Sequence, residues 1–250
     1  MTARIGVVVF PGTNCEHDVV SAINRAVAVA VAVAGAGAAT GDGATETVRA
    51  EAGLVWHGER SLAGYDAVVL PGGFAHGDYL RPGAIARFSP IMDAVSAFAA
   101  AGGPVIGICN GFQVLTEAGL LPGALQKNRD LRFLCTTVGV TVCSTRSVLT
   151  CEAELGSVLR IPINHFEGNY TCDDETRARL RDEGRIVFRY TDNPNGSVDD
   201  IAGVSNAQGN VVGLMPHPER ASDLLLGSAD GMPLLRSLVV SAGRRASLPA

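Results

Sequence analysis

Cys109 lies where a short apolar run passes into a helix-like pattern, and glycines stand two positions away on either side, at 107 and 111. A Gly-x-Cys-x-Gly sequence is typical of a nucleophile elbow, in which a strand turns sharply into a helix and glycines relieve the crowding. The helix N-terminus beyond the turn would favour a thiolate and any oxyanion formed beside it. The pattern indicates an activated cysteine, although a single cysteine after an apolar run is more often a core residue.

A histidine and a carboxylate near the end of the chain can serve that cysteine. A cysteine nucleophile needs a base to take its proton, and the base needs a third group that orients it. His217 and Glu219 can supply both, since they follow the apolar run 211–215 and a single proline separates them. Taken alone, Pro-His-Pro-Glu more often forms a turn, but with an elbow cysteine it predicts a Cys-His-Glu triad.

A glycine turn is the third part of the predicted site. The apolar run 66–70 ends in Pro-Gly-Gly, and such a turn at the carboxyl end of a strand can present backbone N–H groups to a substrate oxygen. The alternative is a simple tight turn. His17, in the polar loop after the first apolar run, is a further candidate base, although a surface histidine is commoner there.

Composition and charge argue against several functional classes. The net charge is −5 and Lys127 is the only lysine, so we expect no nucleic-acid partner. The six cysteines include no Cys-x-x-Cys pair and no histidine-rich cluster, which predicts no metal site. The first residues have the pattern of a buried strand rather than of a signal peptide, so we expect a cytoplasmic protein without membrane attachment.

The elements that must position these groups predict an α/β fold. Apolar, partly β-branched runs at 5–10, 66–70, 105–108 and 211–215 are typical of buried parallel strands. Helical patterns occupy 85–101, 110–118 and 173–183, while closely spaced alternating segments at 131–143 and 158–163 predict a small antiparallel extension. We therefore expect an open, mainly parallel sheet with helices on both faces, in a single domain over residues 1–250.

The Ala/Val-rich part of residues 26–53 gives no clear prediction. The strict Ala/Val alternation within 26–39 fits a strand, whereas the alanine content of this stretch and its position after a strand fit a helix, so both remain open. It is too short to span a bilayer, which needs about 20 apolar residues.

The motifs resemble those of the class I, triad-type glutamine amidotransferases. Residues 107–113 (Gly-Ile-Cys-Asn-Gly-Phe-Gln) and 215–219 (Met-Pro-His-Pro-Glu) are similar to the two signatures of that family. Further stretches resemble the glutaminase subunits of phosphoribosylformylglycinamidine synthase, a family of purine biosynthesis. These stretches are 10–18, 70–81, 167–170 and 192–197, and the resemblance covers nearly the whole chain.

The resemblance implies a flavodoxin-like fold and a role for individual residues. Cys109 would be the nucleophile, His217 the general base and acid, and Glu219 the residue that orients it. The backbone N–H groups of Gly73 and Asn110 would form the oxyanion hole. Residues at or near the glutamine pocket would be Gln113, Asn164, His165 and Phe166. In the segment 164–168, asparagine and phenylalanine replace small residues of the family's usual Ala-His-Gly-Glu form.

The resemblance also implies partners. Ammonia released from glutamine would pass to a large synthetase subunit, which uses Mg-ATP to convert formylglycinamide ribonucleotide into its amidine, and a small third subunit would assist assembly. No cofactor is expected in this chain itself, which has no Gly-x-x-x-x-Gly-Lys-Ser/Thr sequence.

Two functions of other classes remain open. A different elbow-cysteine hydrolase would share Gly-x-Cys-x-Gly but need not carry His-Pro-Glu, and its substrate would not be glutamine. A non-catalytic binding module on the same fold would be expected to lack one member of the triad.

Overall fold

The computed structural model describes residues 2–37 and 49–247, with the backbone alone for residues 27–37. The strands are β1 (Thr2–Val9), β2 (Arg49–Trp56), β3 (Ala67–Leu70), β4 (Val105–Ile108), β5 (Ala124–Lys127), β6 (Leu134–Val142), β7 (Val158–His165), β8 (Glu167–Thr171), β9 (Ile186–Tyr190), β10 (Ile201–Ser205) and β11 (Val211–Leu214). The α-helices are α1 (Glu16–Gly37), α2 (Ile91–Ala100), α3 (Asn110–Glu117), α4 (Asp174–Asp182) and α5 (Met232–Ala246). None of the helices in these ranges is long and apolar enough to cross a membrane.

One nine-stranded sheet organises the fold, with the strand order β2-β1-β3-β4-β11-β10-β9-β6-β7. The strands from β2 to β11 in this order are parallel, and those from β11 to β7 are antiparallel. Helices pack on both faces: α1 and α5 contact each other and β2, while α3 contacts β3, β4 and β11. The predicted fold class and its antiparallel extension are confirmed. In addition, β5 and β8 form a separate two-stranded sheet.

The centre of the parallel half carries the site. Every residue of β3, β4 and β11 is buried, as expected for strands covered on both faces. Burying each large aliphatic side chain contributes about 1.5–3 kcal/mol to stability. Because β1, β3, β4 and β11 are parallel, the loops that follow them meet at one edge of the sheet.

Several element boundaries differ from the sequence predictions. The helix predicted at 85–101 begins only at Ile91, because Ser89 is extended before Pro90 (ψ 141°) and proline disfavours a helical conformation in the residue before it. The open question at 26–39 is answered by α1, whose helical backbone reaches Gly37, and residues 38–39 lie outside the described ranges. No sequence pattern predicted β5, β8, β10 or α5. The single domain over 1–250 stays a prediction.

Candidate active site

Cys109 lies on a strained turn between β4 and α3. Its backbone has φ 50° and ψ −104°, a conformation that costs a non-glycine residue about 1–3 kcal/mol. A β-carbon on Gly111 would lie 1.9 Å from the carbonyl oxygen of Leu70, and one on Gly107 would lie 2.6 Å from Cδ1 of Leu115. Both glycines are therefore required by close packing, and the predicted nucleophile-elbow geometry is present.

The strand order brings His217 to the same edge. β11 pairs directly with β4, and the N–H of Cys109 donates to the carbonyl of Leu214 at 2.8 Å. Three residues further on, the N–H of His217 donates to the carbonyl of Pro162 in β7 at 2.8 Å. The histidine is thus anchored between the parallel and antiparallel halves of the sheet.

His217 and Glu219 form a buried pair. Nδ1 of His217 lies 2.6 Å from Oε1 of Glu219, and the two residues are only 2% and 1% exposed. Burial disfavours the imidazolium, but the Glu219 carboxylate and the Cys109 sulfur outweigh it and raise the pKa of His217 well above its usual value. Nε2 of His217 is buried and has no hydrogen-bond partner within the described ranges. The carboxylate therefore holds a proton on Nδ1, and Nε2 is the ring nitrogen that can accept or donate a proton.

A cavity of about 160 Å³ opens beside Cys109. It lies between the loop after β3, the elbow and the end of β7, and Gly73 is part of its wall. The residues predicted for a glutamine pocket also line it: Gln113, Asn164, His165 and Phe166. The Sγ of Cys109 lies 3.7 Å from the carbonyl oxygen of Asn164. The structure thus brings the predicted pocket residues together at the sulfur.

Asn110 ties the glycine turn to the elbow through its side chain. Its Oδ1 accepts from the N–H of Ala75 at 3.0 Å, and its Nδ2 donates to Gln113 at 2.9 Å and to Asp78 at 3.0 Å. The backbone N–H groups of Gly73 and Asn110 donate to no other group in the described part of the chain. Gly73 lines the cavity, and Asn110 directly follows Cys109 at the start of α3.

Gly73 must be a glycine for two reasons. Its φ is +142°, and a β-carbon there would lie 2.7 Å from the backbone nitrogen of Asn14. The loop that follows also contains residues in the left-handed region, including Asp78 (φ 52°) and Leu80 (φ 70°). The loop after β3 is therefore a constrained part of the cavity wall rather than a simple tight turn.

Two titratable groups of the cavity wall are perturbed. Burial, followed by the charge of His217, lowers the pKa of His165 to about 4, so its ring is neutral at neutral pH. Its Nδ1 lies 3.1 Å from Oδ1 of Asn128. Burial raises the pKa of Asp78 to about 6; the hydrogen bond from Asn110 opposes this, and the charge of Glu167 adds to it. Near neutral pH the His165 ring is therefore uncharged, and the Asp78 carboxyl takes up a proton more easily than an ordinary aspartate.

Sequence reasoning missed a second sulfur in the site. Cys15, in the loop after β1, is buried, and its Sγ accepts a hydrogen bond from Nη2 of Arg220 at 3.1 Å. A ligand atom from each of Cys15, His217 and Glu219 lies within 4.8 Å of the other two. The cysteine count and the 10–18 motif both included Cys15, but only the strand order places it here. His17, the other candidate base, lies in the first turn of α1 rather than in a loop, and its side chain is 79% exposed.

The Cys15, His217 and Glu219 cluster has the residue types of a metal site. However, its Nδ1 and Oε1 atoms are 2.6 Å apart in a hydrogen bond, and the Cys15 sulfur faces a guanidinium. A cation would have to separate the first pair and approach the positive charge of Arg220. The arrangement suits proton transfer better than metal binding.

Replacing Gly72 by alanine is expected to lower the rate of catalysis at this site about 10–100-fold, because a misplacement of about 1 Å in a catalytic group has an effect of that order. The added β-carbon would lie 2.6 Å from Cε1 of His217, and the ring would have to move. Steady-state kinetics measure the effect, with Gly53→Ala as the matched control, since the nearest atom there is 3.6 Å away. A Gly72→Ala enzyme of normal kcat would contradict this view of the ring's surroundings.

Comparisons with known proteins agree with this geometry. Residues 2–230 match the family model of the CobB/CobQ-like glutamine amidotransferase domain. The fold and the site thus define the class as the glutamine amidotransferases.

Named relatives narrow the class. The chain is 53% identical to phosphoribosylformylglycinamidine synthase subunit PurQ of Rubrobacter xylanophilus, over 96% of this chain and 99% of the relative. It is 51% identical to the protein of the same name from Lacticaseibacillus paracasei, over 94% of both chains. A chain in the solved structure of PurLQS from Thermotoga maritima superposes with a TM-score of 0.79 at 38% identity, covering 96% of this chain and 99% of that one. The chain belongs to the PurQ family of phosphoribosylformylglycinamidine synthase subunits.

Proposed function

We propose that this chain hydrolyses the side-chain amide of glutamine with Cys109, His217 and Glu219, and supplies the ammonia to a synthetase. The observation that carries the proposal is the buried His217–Glu219 pair, whose imidazole is close enough to the Cys109 sulfur for that sulfur to raise its pKa, while Cys109 itself lines a cavity. A strained turn, an oriented base and backbone N–H donors are the parts that catalysis by a nucleophilic side chain requires.

In the first half of the reaction, His217 takes the Cys109 proton on Nε2, and the sulfur attacks the amide carbon of glutamine. The N–H groups of Gly73 and Asn110 hold the tetrahedral oxyanion. His217 then returns the proton to the nitrogen, the C–N bond breaks, and ammonia leaves behind a γ-glutamyl thioester on Cys109.

In the second half, a water molecule gives a proton to the same histidine and attacks the thioester carbon. Collapse of this second oxyanion releases glutamate and returns the proton to the sulfur. Glu219 keeps the ring oriented and stabilises its positive charge in both halves. The wall residues Gln113, Asn164, His165 and Phe166 would position the substrate.

The partners follow from the named relatives. PurLQS of Thermotoga maritima is an assembly, and the sequence relatives are named as subunits. We infer that this chain joins a large synthetase subunit, which uses Mg-ATP to convert formylglycinamide ribonucleotide into its amidine, and a small assembly subunit. A reducing cytoplasm suits the free thiols of the described chain, including Cys109.

The thioester provides the test. The complex is mixed with glutamine, quenched in acid within one turnover and digested with a protease. The mass of the peptide that contains Cys109 is then measured by mass spectrometry. We expect a γ-glutamyl adduct on Cys109 that hydroxylamine removes, and none when asparagine replaces glutamine. Glutamine consumption without an adduct on Cys109 in a quench series, or an adduct on Cys15 instead, would overturn the proposed nucleophile.

A further inference from the structure

Cys15 lies beside the His217–Glu219 pair, and the proposed mechanism gives it no role. A β-carbon built on Gly72 would lie 2.6 Å from Cε1 of His217, 3.3 Å from its Nδ1 and 3.2 Å from the Sγ of Cys15. The sulfur and the Nδ1–Cε1 edge of the ring therefore border the same small space, which only a glycine leaves open. Cys15 belongs to the immediate surroundings of the imidazole.

The sulfur is itself held in place by polar contacts. It accepts from Nη2 of Arg220 at 3.1 Å and donates to Oδ1 of Asn14 at 3.3 Å, while the backbone N–H of Cys15 donates to the carbonyl of Gly72 at 3.3 Å. Arg220 also lies 3.6 Å from the carboxylate of Asp18 in α1. A cysteine that only filled the core would not need this set of partners.

We propose that Cys15, held by Arg220, is a positioning residue that fixes the imidazole of His217 between Glu219 and Cys109. This inference rests on the proposed function. Glu219 fixes one ring atom, Nδ1, and a single hydrogen bond leaves the ring able to tilt about it. The sulfur closes the Nδ1–Cε1 edge, so that Nε2 keeps its direction when the proton arrives and leaves.

The contact also links the ring to the first parallel strand. Cys15 and Asp18 follow β1, whereas His217 and Arg220 follow β11, so the Cys15–Arg220 pair joins two loops separated by 205 positions in the chain. Cys15 does not line the cavity beside Cys109. Its loss should therefore change the rate of the chemical steps and leave glutamine binding nearly unchanged.

The first test compares Cys15→Ala, Cys15→Ser and Cys151→Ala in the complex with the synthetase. We expect kcat for glutamine to fall about tenfold in Cys15→Ala with KM within about twofold, because a displaced base affects the transition state more than ground-state binding. Serine can still accept from Arg220, so Cys15→Ser should recover most of the rate. Cys151, whose sulfur contacts the carbonyl of Ser237, controls for the general cost of losing an internal thiol.

The second test separates positioning from stability. Arg220→Gln should lower kcat to a similar degree, and the double variant with Cys15→Ala should lose little more, because both changes remove the same contact. Alkylation of Cys109, measured on its own peptide by mass spectrometry, corrects each kcat for the fraction of folded enzyme. Additive losses, a rise in KM in place of a fall in kcat, or a Cys15→Ser variant as slow as Cys15→Ala would overturn the inference.

The two proposals fail in distinguishable ways. Normal kcat in Cys15→Ala, together with a thioester on Cys109, would overturn the positioning role and leave the proposed function intact. Absence of the Cys109 thioester during turnover would overturn the proposed function whatever the Cys15 variants do.

Discussion

The Cys109→Ala variant, in complex with its synthetase partner, is expected to lose glutamine-dependent synthesis by about 10⁴-fold or more and to keep synthesis from added ammonia. Loss of a nucleophile removes the covalent route, and the remaining oxyanion donors and bound water give only residual catalysis. The fold should persist, since alanine at position 109 relieves rather than adds crowding at the elbow. Product formation is measured with saturating glutamine and, separately, with an ammonium salt.

The measurement with an ammonium salt separates loss of the nucleophile from loss of the synthetase. Retained ammonia-dependent synthesis shows that the synthetase is intact, and co-elution of the Cys109→Ala chain with it in size-exclusion chromatography shows that the complex still assembles. Cys151→Ala serves as the matched control and should keep both activities. Glutamine turnover in Cys109→Ala above about 1% of normal would contradict the assignment of the nucleophile.

The core of the site was predictable because local sequence determines it. The Gly-x-Cys-x-Gly pattern occupies five consecutive residues, although the atom that excludes a β-carbon at Gly111 is the carbonyl oxygen of Leu70 in β3, 1.9 Å away. Likewise, His217 and Glu219 are two positions apart, so their pairing needs only a turn. Patterns of this kind are contained in a few consecutive residues and can be recognised in a sequence.

The surroundings of the site were less predictable because they depend on strand order. Cys15 meets Arg220 only because β1 and β11 both run parallel to β3 and β4, and no spacing in the sequence contains that information. The side-chain network of Asn110 with Asp78 depends on a loop with left-handed residues. Asn164 and His165 were predicted as pocket residues only through the family resemblance, and they lie at the end of the antiparallel strand β7.

Glu219→Gln is expected to lower kcat about 10³-fold, since replacing the orienting carboxylate of a comparable triad by its amide has an effect of about 10⁴. Oε1 of Glu219 accepts from Nδ1 at 2.6 Å, and Oε2 is buried without a hydrogen-bond partner in the described ranges. If the side-chain amide introduced at position 219 directs its NH₂ group to Nδ1 of His217, Nδ1 must act as an acceptor, and the ring proton moves to Nε2. The histidine then presents the wrong tautomer to Cys109.

The same substitution predicts a change in pH dependence. The pKa of His217 is raised in the folded state by the carboxylate against the effect of burial, so the paired imidazolium stabilises the fold. This contribution is full below the unfolded pKa of about 6.5 and is lost as the pH rises through the folded pKa. Urea unfolding should therefore show a larger loss of stability in Glu219→Gln at pH 6 than in alkaline solution.

A control and a second variant complete the argument on Glu219. Glu183→Gln, at an exposed residue, should change neither kcat nor the pH dependence. Glu219→Asp keeps the charge but shortens the reach to Nδ1, so it should retain more of the pH-dependent stability than of the rate. If Glu219→Gln instead kept a normal kcat, the orientation of His217 would have to come from its other neighbours, and the Cys15–Arg220 pair would be the first candidate.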